Sequence, residues 1–230
     1  MLRGAEALLR WSSDEYGLVG PNDFIPIIEN DAIFPRLGSW ILRRAMMDGL
    51  SFLEKNPNFI MNVNLSYAQV KQLDFMDNVL SILHETGFPA ENLCLEVTER
   101  CRLLDLRLLV NTVDGLRSRG IRFALDDFGT GFSSANILKE LSFDTIKIDR
   151  AFVRNIDSDR RLQGLVEHLT SIAALYDSDV CVEGIENRSV RDVVTRFPVS
   201  SLQGYYYSKP VPVDAFMKDW VMETGPKIMR

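Results

Sequence analysis

The sequence has no long apolar run and few of the residues that form disulfides or bind soft metals. No apolar stretch approaches the roughly 18–20 residues that a membrane span needs, and the segment after Met1 lacks the apolar core of a signal peptide. The three cysteines, Cys94, Cys101 and Cys181, are an odd number without zinc-type spacing. We therefore expect a soluble, cytoplasmic protein with reduced thiols and no membrane segment.

Basic charge is also scarce. The 26 Lys and Arg residues are outnumbered by 32 Asp and Glu residues, which gives a formal net charge of −6. This charge balance does not indicate a basic surface that would bind duplex nucleic acid. The two histidines, His84 and His168, fall in predicted helices, where we interpret them as helix-face residues rather than ligands. The length of 230 residues fits one large domain, and α/β barrels reach this size undivided.

Short apolar segments alternate along the chain with longer amphipathic ones, which predicts strands alternating with helices. The predicted strands are Glu6–Trp11, Phe59–Leu65, Leu93–Val97, a strand ending at Asp126, Thr145–Asp149, Asp179–Glu183 and Leu202–Tyr207. The predicted helices cover 24–30, 33–45, 70–84, 103–116, 137–141, 160–176 and 189–196. This alternation is typical of a parallel sheet with helices outside it. Seven such units favour a closed barrel over an open sheet.

Polar residues recur within or at the carboxyl ends of these strands. The set consists of Glu6, Asn64, Glu96, Asp126, Asp127, Lys147, Asp149, Glu183 and Gln203. In a barrel of parallel strands those ends converge on one face, where active sites are built. Several carboxylates on one rim repel each other unless cations neutralise them.

The carboxylates of this set and the Asn64 amide offer only oxygen ligands, which is the chemistry that hard cations prefer. Such sites suit Mg²⁺ or Mn²⁺ rather than zinc or copper. The Asp126-Asp127 pair could hold two ions, an arrangement used in phosphoryl transfer. Lys147 could then hold the attacking water or a phosphate oxygen. Two plainer readings stay open: an acidic turn for the aspartates, and a salt-bridged lysine at a strand end.

The motifs together resemble one family. They are Glu6-Ala7-Leu8, Asn64-Leu65-Ser66, Glu96-Val97-Thr98-Glu99, Asp126-Asp127-Phe128-Gly129-Thr130-Gly131, Lys147-Ile148-Asp149, Glu183-Gly184-Ile185-Glu186 and Gln203-Gly204. From residue 6 to about residue 212, the chain resembles in this order the EAL-domain family of cyclic-di-GMP phosphodiesterases. The resemblance implies a TIM-like (β/α)8 barrel that hydrolyses cyclic-di-GMP to linear pGpG with two divalent cations, Mg²⁺ or Mn²⁺.

The resemblance also implies a role for each matching residue. The metal ligands implied are Glu6, Asn64, Glu96, Asp126, Asp127 and Glu183, with Asp126 bridging the two ions. Lys147 would position the water nucleophile, so the implied catalytic residues are Lys147, Glu6, Asp126, Asp127 and Glu183. The implied substrate-binding residues are Arg10, Gln203, Asp149 and Leu8. Glu99 would tether the loop from Phe128 to Ser134, which in this family couples dimerisation to metal binding, so a homodimer is expected.

Departures from the family pattern are few. Val182 and Ile185 are conservative replacements for the usual alanine and valine. Only five residues precede Glu6, so the strand that normally lies upstream of this motif is missing, and we expect an EAL-type α/β barrel without its usual first strand. Residues 1–230 are predicted to form a single EAL domain, and many such domains are pieces of larger signalling proteins. A catalytically silent EAL domain that binds cyclic-di-GMP or another protein is the main alternative, and an unrelated metal-dependent barrel enzyme is a third.

Overall fold

The computed structural model describes residues 1–98, 106–130 and 134–222. The described residues form two compact units, one of residues 4–95 and 106–121, and the other of residues 1–3, 96–98, 122–130 and 134–222. A seven-stranded sheet has the strand order β1-β4-β5-β6-β7-β8-β9, and β2 pairs with β3 separately. No described helix is both long enough and apolar enough to cross a bilayer. The predicted class, an α/β fold with seven parallel strands, is confirmed.

The bounds of the elements follow the predicted alternation, with differences at the two ends of the chain. The strands are β1 (Gly4–Ala7), β2 (Trp11–Ser13), β3 (Gly17–Val19), β4 (Ile60–Leu65), β5 (Leu93–Thr98), β6 (Arg122–Phe128), β7 (Thr145–Ile148), β8 (Asp179–Val182) and β9 (Ser201–Leu202). The helices are α1 (Pro21–Ile28), α2 (Phe34–Leu53), α3 (Tyr67–Val70), α4 (Phe75–Thr86), α5 (Leu106–Arg117), α6 (Ser134–Glu140), α7 (Arg160–Leu175), α8 (Arg188–Val194) and α9 (Val213–Phe216). A π-helical segment, Met217–Met222, follows α9. Neither it nor α9 was predicted.

In the first unit, β1 and β4 form a parallel pair with Glu6 opposite Asn62. The alternation of β4 explains its placement, since Met61, Val63 and Leu65 are buried and the asparagines between them are not. The core of this unit is built from buried side chains of β4, β5 and the helices, among them Leu42, Met46, Phe59, Ile82, Leu93 and Leu109.

The single helix predicted over 70–84 is instead two helices, α3 and α4. Ser66 begins α3 with a capping box, because its hydroxyl accepts the Ala68 N–H and the Gln69 side chain returns to the Ser66 N–H. The Phe75 N–H bonds to the Gln72 carbonyl in the turn between the helices. Gly87, with φ of 68°, ends α4.

The strand predicted over Glu6–Trp11 ends at Ala7, and a hairpin of β2 and β3 begins at Trp11. The Ser13 hydroxyl accepts the N–H groups of Glu15 and Tyr16, and Gly17 adopts a φ of 68°. These are turn interactions between strands of three residues each. Strands so short give no alternation that a sequence pattern could detect.

In the second unit, Asp144 joins the starts of three strands. Its carboxylate accepts the Phe123 N–H at 2.8 Å, its N–H donates to the Phe123 carbonyl, and its carbonyl accepts the Asp179 N–H. The core here includes the buried side chains of Phe123, Leu125, Ile146, Ile148, Ile156, Val166 and Val182. Asp144 therefore aligns β6, β7 and β8.

The last predicted strand, Leu202–Tyr207, is wrong over most of its length, because β9 ends at Leu202. The chain leaves the sheet there and bonds to the segment after β8. The Ile185 N–H donates to the Gln203 carbonyl, and the Tyr206 N–H donates to the Ile185 carbonyl. A Cβ on Gly204 would lie 2.7 Å from the Ile185 carbonyl carbon. The aromatic residues Tyr205–Tyr207 favour strands, but here they follow a turn, because Gly204 packs closely against Ile185.

Candidate active site

Lys147 lies at the centre of a group of acidic side chains in the second unit. Its Nζ is 2.7 Å from Glu96 Oε2, 2.7 Å from Glu183 Oε1 and 3.4 Å from Asp126 Oδ1. We call Lys147, Glu96, Asp126 and Glu183 the Lys147 cluster. The ammonium is thus close to three carboxylates at once, so the structure brings together four of the residues singled out in the sequence.

Four consecutive strands supply the Lys147 cluster. Glu96 is in β5, Asp126 in β6 and Lys147 in β7, and Glu183 directly follows β8. Lys147 and Cys181 are opposite each other in the β7–β8 register, and the Glu183 N–H donates to the Ile148 carbonyl. The backbone hydrogen bonds between the strands therefore fix the positions of the Cα atoms that carry these side chains.

The Lys147 cluster is buried unevenly. The exposed fraction of the side chain is 1% for Glu96, 4% for Lys147, 12% for Asp126 and 20% for Glu183. Three carboxylates and one ammonium give a formal charge of −2. Charges this deep are costly unless they are paired, and here Lys147 is the cation that pairs them.

A β-bulge in β6 changes the backbone conformation at the adjacent residues Asp126 and Asp127. The register between β6 and β7 shifts between Leu125 and Phe128, and Asp127 adopts a φ of 55°. The Asp127 N–H donates to Asp126 Oδ1 at 2.9 Å, while Thr130 bonds through both N–H and hydroxyl to the Asp127 carbonyl. A left-handed non-glycine residue is strained and is often found at functional sites.

Gly184 gives the turn after Glu183 its shape. Its φ is 72°, and a Cβ here would lie 2.9 Å from Arg150 Cα and collide with the Arg150 side chain. Only glycine combines that dihedral with that clearance. The Glu-Gly step of the motif therefore places a carboxylate at the end of β8 and lets the chain turn away immediately.

In the first unit, Glu6 and Asn64 form a separate pair. Asn64 Nδ2 donates to Glu6 Oε1 at 2.5 Å. Asn64 is exposed and Glu6 half-buried. Sequence reasoning missed Asn62, whose amide donates to the Ala5 carbonyl at 3.2 Å and so fastens the strand that carries Glu6. The alternation of Asn62 and Asn64 along β4 was the signal for it.

The proposed substrate-binding residues have differing surroundings. Arg10 is exposed and donates to the Leu9 carbonyl at 2.8 Å, and Leu8 is 40% exposed. Gln203 is half-buried just beyond β9. Asp149 accepts the Ala151 N–H at 2.9 Å, which makes it the cap of the helical turn Arg150–Phe152. Its side chain thus has a structural role that the sequence reading did not include.

Cys181 is two residues before Glu183 of the Lys147 cluster and is buried in β8. Burial raises the pKa of its thiol to about 12, against a smaller lowering by the Ser201 side chain and by Lys147. The thiol is therefore protonated at neutral pH, and nucleophilic chemistry by this cysteine is disfavoured.

Three predictions concern residues outside the described ranges: Glu99 as a tether, the loop glycine Gly131, and Cys101. Within residues 1–98, 106–130 and 134–222, no three Asp, Glu, His or Cys side chains are arranged as a set of metal ligands. The three carboxylates of the Lys147 cluster converge instead on the ammonium.

Known proteins resemble the chain over nearly its whole length. The family model described as the EAL domain matches residues 1–210. The cyclic di-GMP phosphodiesterase PdeR of Escherichia coli is 31% identical over 215 residues, which cover 94% of this chain and 32% of that protein. An uncharacterised signalling protein of Caulobacter vibrioides is 36% identical over 212 residues, covering 92% of this chain and 26% of that protein. The chain therefore spans about a quarter to a third of the length of these curated relatives.

Solved structures agree with this similarity. The EAL enzyme Bd1971, in its form bound to cAMP and cyclic-di-GMP, superposes with a TM-score of 0.89 at 36% identity, covering 94% of this chain and 60% of that one. The PaMucR phosphodiesterase in its c-di-GMP complex superposes with a TM-score of 0.87 at 30% identity, covering 93% of this chain and 87% of that one. The fold of those enzymes is the fold of this chain.

Proposed function

Because this chain belongs to the EAL domain family, we propose that it is a phosphodiesterase that hydrolyses cyclic-di-GMP to linear pGpG with the help of divalent cations. Two similar proteins support the choice of substrate: PdeR is a cyclic di-GMP phosphodiesterase, and PaMucR is a phosphodiesterase solved with c-di-GMP. The observation that carries the proposal is the Lys147 cluster, in which three carboxylates and a buried lysine come from four consecutive strands.

The charge of the Lys147 cluster fits a need for cations. Its formal charge of −2 repels a phosphodiester, so a substrate of that kind requires added positive charge. Its acidic ligands offer oxygen atoms only, which Mg²⁺ and Mn²⁺ prefer. When bound, such ions would polarise the phosphate and lower the pKa of a water molecule. The residues proposed to hold them are Glu6, Asn64, Glu96, Asp126, Asp127 and Glu183.

The chain's own residues have distinct proposed roles in this reaction. Lys147 supplies ammonium protons that can hold an attacking water or a phosphate oxygen. Arg10, with an exposed guanidinium, is proposed to bind a substrate phosphate. Leu8, Asp149 and Gln203 are proposed to contact the remainder of the dinucleotide on the strength of their motifs.

Incubation with cyclic-di-GMP and Mg²⁺ or Mn²⁺, followed by chromatography, tests the function directly. We expect pGpG to accumulate, and EDTA to stop its formation. Ca²⁺ should not replace Mg²⁺, since it favours longer bonds and higher coordination. Binding of cyclic-di-GMP without any product would instead identify a catalytically silent receptor. Product formation that persists after chelation would rule out the role of the cations.

Assembly and location are further parts of this proposal. We propose a homodimer organised near residues 128–134 and α6, with Glu99 tethering that loop, and a cytoplasmic location. Light scattering after size exclusion tests the dimer. Glu99→Ala should lower activity without weakening metal binding, and a fully active variant would contradict the tether.

A further inference from the structure

We propose that the Lys147 ammonium is a placeholder for a metal cation, which holds the carboxylates of its cluster in position until a divalent ion displaces it from Glu183 and Asp126. This inference rests on the proposed function only in assuming that the cluster binds a divalent cation. It assigns Lys147 a second, positioning role, distinct from the role in hydrolysis that its motif suggests.

The contact distances are the first support. Lys147 Nζ is 2.7 Å from an oxygen of Glu96 and 2.7 Å from an oxygen of Glu183, and Asp126 lies at 3.4 Å. One compact positive group therefore holds oxygens of three carboxylates close to a single point, and a divalent ion that reaches Glu183 and Asp126 would compete with the ammonium for those oxygens.

The charge of the Lys147 cluster is the second support. The carboxylates are buried to differing depths, and the loss of Lys147 would take a positive charge away from all three of them, which is strongly unfavourable. With Lys147 the remaining formal charge is −2, equal and opposite to that of one divalent ion. Lys147 thus stabilises the metal-free protein and leaves a charge that favours uptake of one ion.

The gradient of exposure gives the exchange a direction. Glu183 and Asp126 have side chains 20% and 12% exposed, whereas Glu96 is 1% exposed. An ion arriving from solvent meets Glu183 and Asp126 first and replaces their contacts with Nζ. Lys147 can keep Glu96 Oε2, because a carboxylate has two oxygens and can serve two cations. The ammonium then swings toward Glu96 and is held ready beside the ion.

The experiment compares the wild-type chain with Lys147→Met, which removes the ammonium and keeps an unbranched side chain. Lys55→Met is the matched control, since Lys55 is exposed just beyond the end of α2. Melting temperature is measured in EDTA and in Mn²⁺, and the Mn²⁺ dissociation constant is measured by calorimetry. Neither reading depends on catalysis.

We expect Lys147→Met to melt roughly 10 °C below wild type in EDTA, because one partner of a buried ion pair is lost. Mn²⁺ should close most of that gap and should bind the variant about tenfold more tightly, since no ammonium competes with it. Lys55→Met should match wild type in both measurements. An unchanged melting temperature in EDTA, or Mn²⁺ binding that is equal or weaker in the variant, would overturn the inference.

Crystal structures of the wild-type protein with and without Mn²⁺ give a test that needs no variant, which matters if Lys147→Met fails to fold. We expect Nζ to lie beyond 4 Å from Glu183 and Asp126 when Mn²⁺ is bound. Retention of all three contacts, or failure of the wild type to bind Mn²⁺, would refute the exchange. Failure to hydrolyse cyclic-di-GMP despite the exchange would count against the proposed function alone, and hydrolysis without the exchange would count against this inference alone.

Discussion

The Lys147 cluster and the Glu6–Asn64 pair arise from the same kind of sequence signal, a polar residue in a strand, yet their physical states differ. In the cluster, three carboxylates share a lysine whose side chain is 4% exposed. In the pair, an exposed amide donates one hydrogen bond, at 2.5 Å, to a half-buried carboxylate. A buried charge must be compensated for the chain to fold, whereas a hydrogen bond at the surface can be replaced by water. Stability and chemistry are therefore joined in the cluster and separable in the pair.

The largest expected effect comes from Asp126→Asn, which changes one charge of the Lys147 cluster with little change in shape. We expect the rate of pGpG formation to fall by more than the roughly 10- to 100-fold that an outer-shell change costs. The melting temperature in EDTA should stay equal or rise, because repulsion within the cluster decreases. Chromatography and thermal melting measure the two. Retained activity would remove Asp126 from the site.

The second largest effect is expected on stability. It concerns two glycines, one in the turn after Glu183 of the Lys147 cluster and one in the strand that carries Glu6. Gly184→Ala combines a φ of 72° with a collision against Arg150, so we expect a loss of roughly 2–5 kcal/mol in the free energy of unfolding. A Cβ on Gly4 in β1 would collide with the Ile60 carbonyl oxygen and crowd the Ile60 Cβ, but the φ of Gly4 is ordinary, so Gly4→Ala should cost roughly 1–3 kcal/mol. Urea unfolding measures both. Equal losses of stability would show that the backbone at Gly184 and the backbone at Gly4 tolerate a side chain equally poorly.

A smaller effect is expected for Asn64→Ala in the exposed pair. Activity should fall by about tenfold, while the free energy of unfolding should change by no more than about 1 kcal/mol, because water can replace the exposed amide. Asn62→Ala is the companion variant, since it removes the bond to the Ala5 carbonyl and should lower both quantities. A large loss of stability in Asn64→Ala would erase the distinction between the pair and the cluster.

The smallest effect is expected for Arg10→Ala. The side chain is exposed and bonds only locally to the Leu9 carbonyl, so its removal should leave the melting temperature unchanged. We expect KM for cyclic-di-GMP to rise several-fold with little change in kcat, the pattern for lost uniform binding. Arg36→Ala, another exposed arginine of the same unit, is the control. A fall in kcat alone would give Arg10 a different role.

Sequence reasoning found the parallel strands well because burial imposes a simple pattern on them. The strands β4 to β8 coincide with predicted apolar runs, and the ordered motifs pointed to Lys147 and its carboxylates. Where the prediction failed, a close contact or a short turn was responsible. Gly204 packs against Ile185 and ends β9 early, and Ser13 organises a hairpin too short to show alternation.

The arrangement of the site residues was harder to predict from the sequence than their identity. Adjacent aspartates in a regular strand would point to opposite faces, and the β6 bulge with its left-handed Asp127 is invisible in the letters Asp-Asp. Asp149 caps a helical turn, a structural role that its motif did not suggest. Lys147 is salt-bridged, as the plainer interpretation of the sequence predicted, and the same contacts place it among the carboxylates that its proposed catalytic role requires.

The burial of Cys181 bears on how the protein withstands oxidants. Peroxide and other electrophiles react with thiolates, and a thiol whose pKa is raised to about 12 is almost entirely protonated inside a cell. The Lys147 ammonium nearby would normally activate a cysteine, but desolvation outweighs it here. A thiol that is kept protonated in this way is a poor target for oxidation to sulfenic acid, a change that would add an oxygen two residues before Glu183. The same lack of water that makes the charges of the Lys147 cluster costly thus protects its supporting strand from redox damage.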